Sequence, residues 1–284
     1  MRPPILLCFA ALLAAAPGHA QAPAAPGFTP VPQDQALEAR HLAPHRAAYR
    51  LSLLRGREQG RITRADGAMA FEVVDACEGW TTRQRFSLTI ADAEGTEIQT
   101  ASDYSTYETK DGRRLRFTLT QMTQGNVSQR IAGEAEIGAD GSGIVRYTEP
   151  EQREERLPPG TILPNAHTIA ALNAARTGRR LLVSPLFDGT SEDGAQDTTT
   201  ILSAWEAPRE VPGFPALSTL GSVRMRIAFF DREAQQQGGG ATTPSYEVSL
   251  RYWENGVADE LQMDFRDFAV EGRMVQLEPV PGGC

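Results

Sequence analysis

Residues 223–229 read VRMRIAF, residues 246–252 read YEVSLRY and residues 261–265 read LQMDF. Apolar side chains recur at every second position: Val223, Met225, Ile227 and Phe229, then Tyr246, Val248, Leu250 and Tyr252, then Leu261, Met263 and Phe265. A period of two puts these side chains on one face of a β-strand and their polar neighbours on the other. The same alternation runs through Tyr49, Leu51 and Leu53, through Phe86, Leu88 and Ile90, and through Leu115, Phe117 and Leu119. Asp66-Gly67, Asp111-Gly112, Asp140-Gly141 and Asn255-Gly256 each separate two such runs and accept the positive φ of tight hairpins. Consecutive hairpins make an antiparallel meander. A meander this long exposes its edges if it stays flat, so the expected fold is a barrel or a strongly coiled sheet.

One helix is expected to interrupt the strands, from Asn165 to Thr177, with Asn165 as N-cap after Pro164 and Gly178 past the end. Ala166, Ile169, Ala170, Leu172 and Ala174 give it a narrow face of small residues, suited to lying close against or inside a curved sheet. A shorter helix is expected at Gln33 to Arg40. Residues 21–32, rich in Ala and Pro, read as a flexible leader, and residues 234–240, with consecutive Gln and Gly, as a loop tip between strands. There is no internal repeat, and residues 33–284 read as one domain.

Residues 1–20 have the pattern of a cleavable secretory signal: Arg2, an apolar stretch from Ile5 to Ala16, and small residues Gly18 and Ala20 before the cleavage point. The expected location is therefore the periplasm. No later apolar run reaches the ~20 residues that a membrane-spanning helix needs. Removing the signal removes Cys8 and leaves Cys77 and Cys284. In an oxidising compartment two such thiols favour pairing over two unrelated free thiols. In the chain-entropy model, closing so long a loop contributes about 5 kcal/mol as an upper bound. The formal charge of −8 argues against nucleic acid, which needs clustered Lys and Arg.

Several segments, in this order, resemble the EipB family of periplasmic envelope-integrity proteins of alphaproteobacteria. They are His45-Arg46-Ala47-Ala48-Tyr49-Arg50-Leu51-Ser52-Leu53, Asp75-Ala76-Cys77-Glu78-Gly79-Trp80, and Leu157-Pro158-Pro159-Gly160-Thr161 leading to Pro164, His167 and Thr168. Leu186-Phe187-Asp188-Gly189 follows, then Glu254-Asn255-Gly256 and Asp264-Phe265 before Cys284. The resemblance implies a mainly β protein: a single, strongly curved antiparallel sheet of roughly fourteen strands forming an open, barrel-like β-spiral, with one or two helices at its inner face or mouth. It also implies a Cys77–Cys284 disulfide, a shape similar to that of periplasmic lipoprotein carriers, a role in envelope integrity and no catalytic residues.

The residues themselves offer little to an enzyme. His41, His45 and His167 form no metal-ligand pair, and no Gly-x-Ser-x-Gly elbow is present. Asp188, Glu192, Asp193 and Asp197 crowd one loop, but their spacing is not that of an EF-hand, and a solvated acidic loop is the expected reading; no metal or cofactor is assigned. A curved sheet does offer a concave apolar surface. The inward candidates for a lipid or acylated ligand are Tyr49, Phe86, Phe117, Met225, Ile227 and Phe229, with Arg46 and Arg224 placed to meet an anionic head group at the rim. Two readings stand: a carrier whose lumen shelters an amphipathic ligand, and a scaffold whose outer surface docks periplasmic proteins.

Overall fold

The first and last strands of this protein are hydrogen-bonded neighbours in the middle of its sheet. The computed structural model describes residues 28–56, 62–232 and 243–281. The expected signal, most of the leader, the 234–240 loop, Cys8 and Cys284 lie outside the described residues. The strands are β1 (His45–Gly56), β2 (Ile62–Asp75), β3 (Gly79–Asp92), β4 (Glu97–Thr109), β5 (Arg114–Thr123), β6 (Asn126–Ile137), β7 (Gly143–Glu149) and β8 (Arg153–Leu157). Helix α1 (Pro164–Arg176) follows, then β9 (Leu181–Leu186), β10 (Gln196–Leu202), β11 (Ser222–Phe230), β12 (Tyr246–Trp253), β13 (Ala258–Asp264) and β14 (Phe268–Pro279). All fourteen form one antiparallel sheet in the order β8-β7-β6-β5-β4-β3-β2-β1-β14-β13-β12-β11-β10-β9. It is a meander in two arms, joined where β1 pairs with β14 from His45↔Pro279 to Gly56↔Phe268.

The two outer strands, β8 and β9, are also the two joined by α1. A single parallel bridge, Ile162↔Leu186, links the segment after β8 to β9, so the arms approach each other without a closing ladder. The helix lies within this curve. Every residue of α1 is at least half-buried, and Ala171, Leu172, Ala174 and Ala175 share one apolar core with residues of β1, β2, β10, β11, β12, β13 and β14. No helix of the described residues is long and apolar enough to cross a membrane.

Three of the four expected hairpins are turns: Gly112, Gly141 and Gly256 have φ of 67°, 76° and 81° and lie between β4 and β5, β6 and β7, and β12 and β13. Asp66-Gly67 is not a turn. It lies inside β2, where Gly67 pairs with Leu51 on one side and Leu88 on the other. A Cβ at Gly67 would stand 2.1 Å from the Ser87 carbonyl oxygen, so this glycine permits a close approach of backbones.

The helix is shifted from its expected start. Leu163 is the N-cap and Pro164 occupies the first turn, where its missing N–H costs nothing. The cap comes from another element: the Glu108 carboxylate of β4 accepts from the backbone N–H of Asn165 at 2.8 Å and of Ala166 at 3.1 Å. The expected helix at Gln33 to Arg40 reduces to one 3-10 turn, Ala39–His41. Leu37 instead docks on α1 through its backbone, its N–H donating to Asn173 Oδ1 at 2.8 Å and its C=O accepting from Asn173 Nδ2 at 2.9 Å.

Candidate functional site

The concave side divides into two apolar regions with different fillings. In the β5–β7 arm, Leu115, Phe117, Ile131, Val145 and Tyr147 form a core with Leu163 and Phe187. The Phe187 ring meets Phe117 edge-on at 5.3 Å between centroids. The loop after Phe187 is tied down by two tyrosines. Tyr104 donates to the Asp188 carbonyl, and Tyr147 donates to the Ser191 carbonyl at 3.1 Å while accepting from the Gly194 N–H at 3.1 Å. At Gly189, with φ of 76°, a Cβ would stand 2.4 Å from the Phe117 ring. This half of the lumen is filled by the protein's own loop.

The other half keeps a cavity of about 210 Å³ between β1–β2, β12–β13 and the first turn of α1. Tyr49, Met69, Phe71, Val248, Leu250 and Tyr252 supply apolar walls, and among the described residues no Asp, Glu, Lys or Arg lines it. The Tyr49 hydroxyl donates to the Ala258 carbonyl at 2.7 Å, fixing the ring as a wall. Burial pushes the Tyr252 phenol above its ordinary range.

The lining also includes the polar residues His45, Gln84, Asn165, Thr168 and Asn255. His45 is buried, with Nδ1 2.7 Å from the Ala43 carbonyl oxygen. A carbonyl only accepts, so Nδ1 carries the proton and Nε2 is left as an acceptor. Burial, partly offset by that hydrogen bond, holds the imidazole below its ordinary pKa. Asn255 is also buried; its Oδ1 accepts from the Val257 N–H at 3.2 Å, and its backbone carbonyl accepts from the Ala43 N–H at 2.9 Å. His45 Nε2 and Asn255 Nδ2 have no hydrogen-bond partner among the described residues.

Of the residues expected inside, Tyr49 lines the cavity. Met225 and Ile227 stand one strand away, opposite Leu250 and Val248. Phe229 packs against Tyr246, itself a lining residue, at 5.7 Å, and Phe86 lies opposite Met69. Phe117 belongs to the other region, under the loop. Arg46 and Arg224 fall on the outer face, because they alternate with the buried Ala47 and Val223. Arg46 pairs with Glu72 at 2.6 Å, and Arg224 with Glu206 at 2.6 Å and Glu260 at 2.7 Å. The loop acids are dispersed: Asp188 accepts from Thr190, Glu192 from Gln129, and Asp197 pairs with Arg232. Sequence reading missed His45, Met69, Phe71 and Asn255 as lining residues. The partners of Tyr49 across β2 carried the signal for Met69, whereas nothing local marks a histidine or asparagine as unpaired.

The sequence matches the EipB-like family over residues 36–281. The chain belongs to the EipB-like family. It is similar to the cell envelope integrity protein EipB of Brucella abortus (strain 2308), with 30% identity over 247 residues, 86% of each chain. It is also similar to the crystal structure of a beta-barrel-like protein of the domain of unknown function DUF1849 from Brucella abortus, with a TM-score of 0.75 and 27% identity, covering 84% of this chain and 99% of that one. The whole cavity of this EipB-like chain, from Leu42 to Met263, falls within the matched span.

Proposed function

We propose that this EipB-like protein is exported to the periplasm and supports envelope integrity without catalysis, by binding an amphipathic ligand in the cavity between β1–β2 and β12–β13. The observation that carries this reading is the uncharged, largely apolar cavity left open beside a self-filled half of the same lumen. The similarity to a relative named for envelope integrity supports the compartment and the role. The test is native mass spectrometry with lipid extraction on protein purified from a bacterial periplasm without detergent. A bound mass of lipid size is expected, lost in Val248→Trp, which fills the cavity, and kept in Val248→Ala. Empty protein that takes up no added amphiphile overturns the reading and favours docking through the outer surface, where Leu181, Val183 and Ile201 stand exposed near the β9 edge.

The Cys77–Cys284 pairing belongs to the same proposal. β2 and β14 flank β1 and run in the same direction, so their C-terminal ends leave the sheet at the same end. Pro279, His45 and Val73 share one row, which places the ends of β2 and β14 about 10 Å apart across two strand spacings. Five residues beyond Pro279 reach at most about 18 Å. Digestion without reductant is expected to yield a joined peptide containing both cysteines; free thiols at both positions in periplasmic material would sink the pairing.

A further inference from the structure

The sheet ends in two edges, β8 and β9, and they are built in opposite ways. β8 reads Arg153-Glu154-Glu155-Arg156-Leu157, the charged composition with which edge strands discourage pairing. β9 reads Leu181-Leu182-Val183-Ser184-Pro185-Leu186 and carries no charge. Leu181 and Val183 are 51% and 63% exposed, and Ile201, opposite Leu181 on β10, is 57% exposed. We infer that the β9 edge takes an extended segment of another protein as an added antiparallel strand, apolar at alternate positions and acidic towards its C-terminal end. Leu181 and Val183 alternate with Leu182, which packs into the core, so they face away from the lumen and the inference is independent of the cavity reading.

Backbone parity identifies the open groups. The Arg180 carbonyl accepts from the Leu202 N–H at 3.0 Å, so the backbone groups of Arg180, Leu182 and Ser184 point to β10. Those of Leu181, Val183 and Pro185 point away from it. The far end of β9 agrees: the Pro185 carbonyl accepts from the Ile162 N–H at 3.0 Å, and the Phe187 N–H donates to the Ile162 carbonyl at 3.1 Å. Ile162 and the missing N–H of Pro185 close that end. Among the described residues the N–H and C=O of Leu181 and of Val183 stay open, the template that strand addition uses.

Charge selects the occupant. Arg179 and Arg180 stand exposed at the start of β9, and neither has an ion pair among the described residues. An antiparallel strand laid on β9 has its C-terminal end beside these arginines, so carboxylates at that end meet them. A second copy of this chain offers none. Pairing β9 with itself about Leu182 puts Arg180 opposite Ser184 and Arg179 opposite Pro185, and the acid beside Pro185, Asp197, is already held by Arg232.

Fluorescence anisotropy of the intact protein with the N-terminally labelled peptide Thr-Val-Thr-Val-Thr-Glu-Glu tests the inference. Saturable binding is expected, about tenfold tighter than for Glu-Glu-Thr-Val-Thr-Val-Thr, whose acids lie at the wrong end. Val183→Pro removes an N–H that the β10 ladder does not use and is expected to weaken binding about tenfold or more, with a thermal melt showing it folded. Arg179→Glu combined with Arg180→Glu is expected to reject the first peptide and take Thr-Val-Thr-Val-Thr-Lys-Lys in its place; this exchange decides the matter if Val183→Pro does not fold. No binding by the unaltered protein, or binding indifferent to the position of the acids and to the charge exchange, overturns the inference. A dimer in sedimentation velocity that Val183→Pro dissociates also overturns it, by assigning the edge to a second copy.

Discussion

Glu108 and His167 sit at the two sides of the first turn of α1, and burial drives them in opposite directions. Burial pushes the Glu108 carboxyl up to about 7 against the pull of its two N–H donors, and burial holds the His167 imidazole down at about 4, with Nε2 3.0 Å from Thr200 Oγ1. A carboxyl raised in the folded state stabilises fully below its ordinary 4.5 and loses that contribution as pH rises through about 7. A lowered histidine stabilises above its ordinary 6.5 and loses that contribution as pH falls towards 4. Between 4.5 and 6.5 the two slopes cancel. Glu108→Gln removes the first alone, so urea unfolding of both proteins below pH 4.5 and above pH 7 is expected to show the wild type losing about 3 kcal/mol relative to the variant as pH rises. A difference that does not change with pH would refute the buried, protonating cap. None of this was legible from sequence: His167 could be placed near a helix start, but the cap comes from a residue more than fifty positions upstream.

At the level of elements, the alternation that marked the strands also hid one misreading. Asp-Gly marks a turn only if the chain reverses there, and in β2 the alternation continues through Asp66-Gly67 into Met69. Glycine at a close backbone approach and glycine at positive φ look identical in a sequence. The helix was legible because Pro164 and Gly178 bracket it, and its small residues marked it as suited to lying close against or inside a curved sheet. What its faces touch was not legible, since contacts between α1 and both arms are long-range. Leu37 shows how α1 organises those contacts: both of its backbone groups pair with Asn173, while Arg176 at the last turn pairs, buried, with Glu254 at 3.2 Å. Asn173→Ala leaves an N–H and a C=O unpaired and is expected to cost about 1–3 kcal/mol. Limited proteolysis is expected to cut first between residues 33 and 42 in that variant. Unchanged cleavage there would mean that the segment is held by its side chains instead.

For the whole molecule, the consequence of the two-armed meander is a division of labour between the halves of one lumen. Phe117, expected from its alternation to face a ligand, does face inward, but the loop after Phe187 occupies the space in front of it. Alternation reports which face is inward and not what covers it, so cavity wall and plain core read alike along the chain. The two apolar regions are separate clusters, and sites that share no side-chain partners contribute independently to stability and binding. Phe117→Ala empties a packed core and is expected to cost about 3–5 kcal/mol in unfolding free energy, while the affinity of the cavity for an added amphiphile such as octanol stays unchanged. Val248→Trp is expected to do the reverse, abolishing uptake with a small change in stability. If Phe117→Ala lowers octanol affinity in protein shown by its melt to be folded, the halves are coupled, and a ligand in the cavity would be read out at the loop over Phe117.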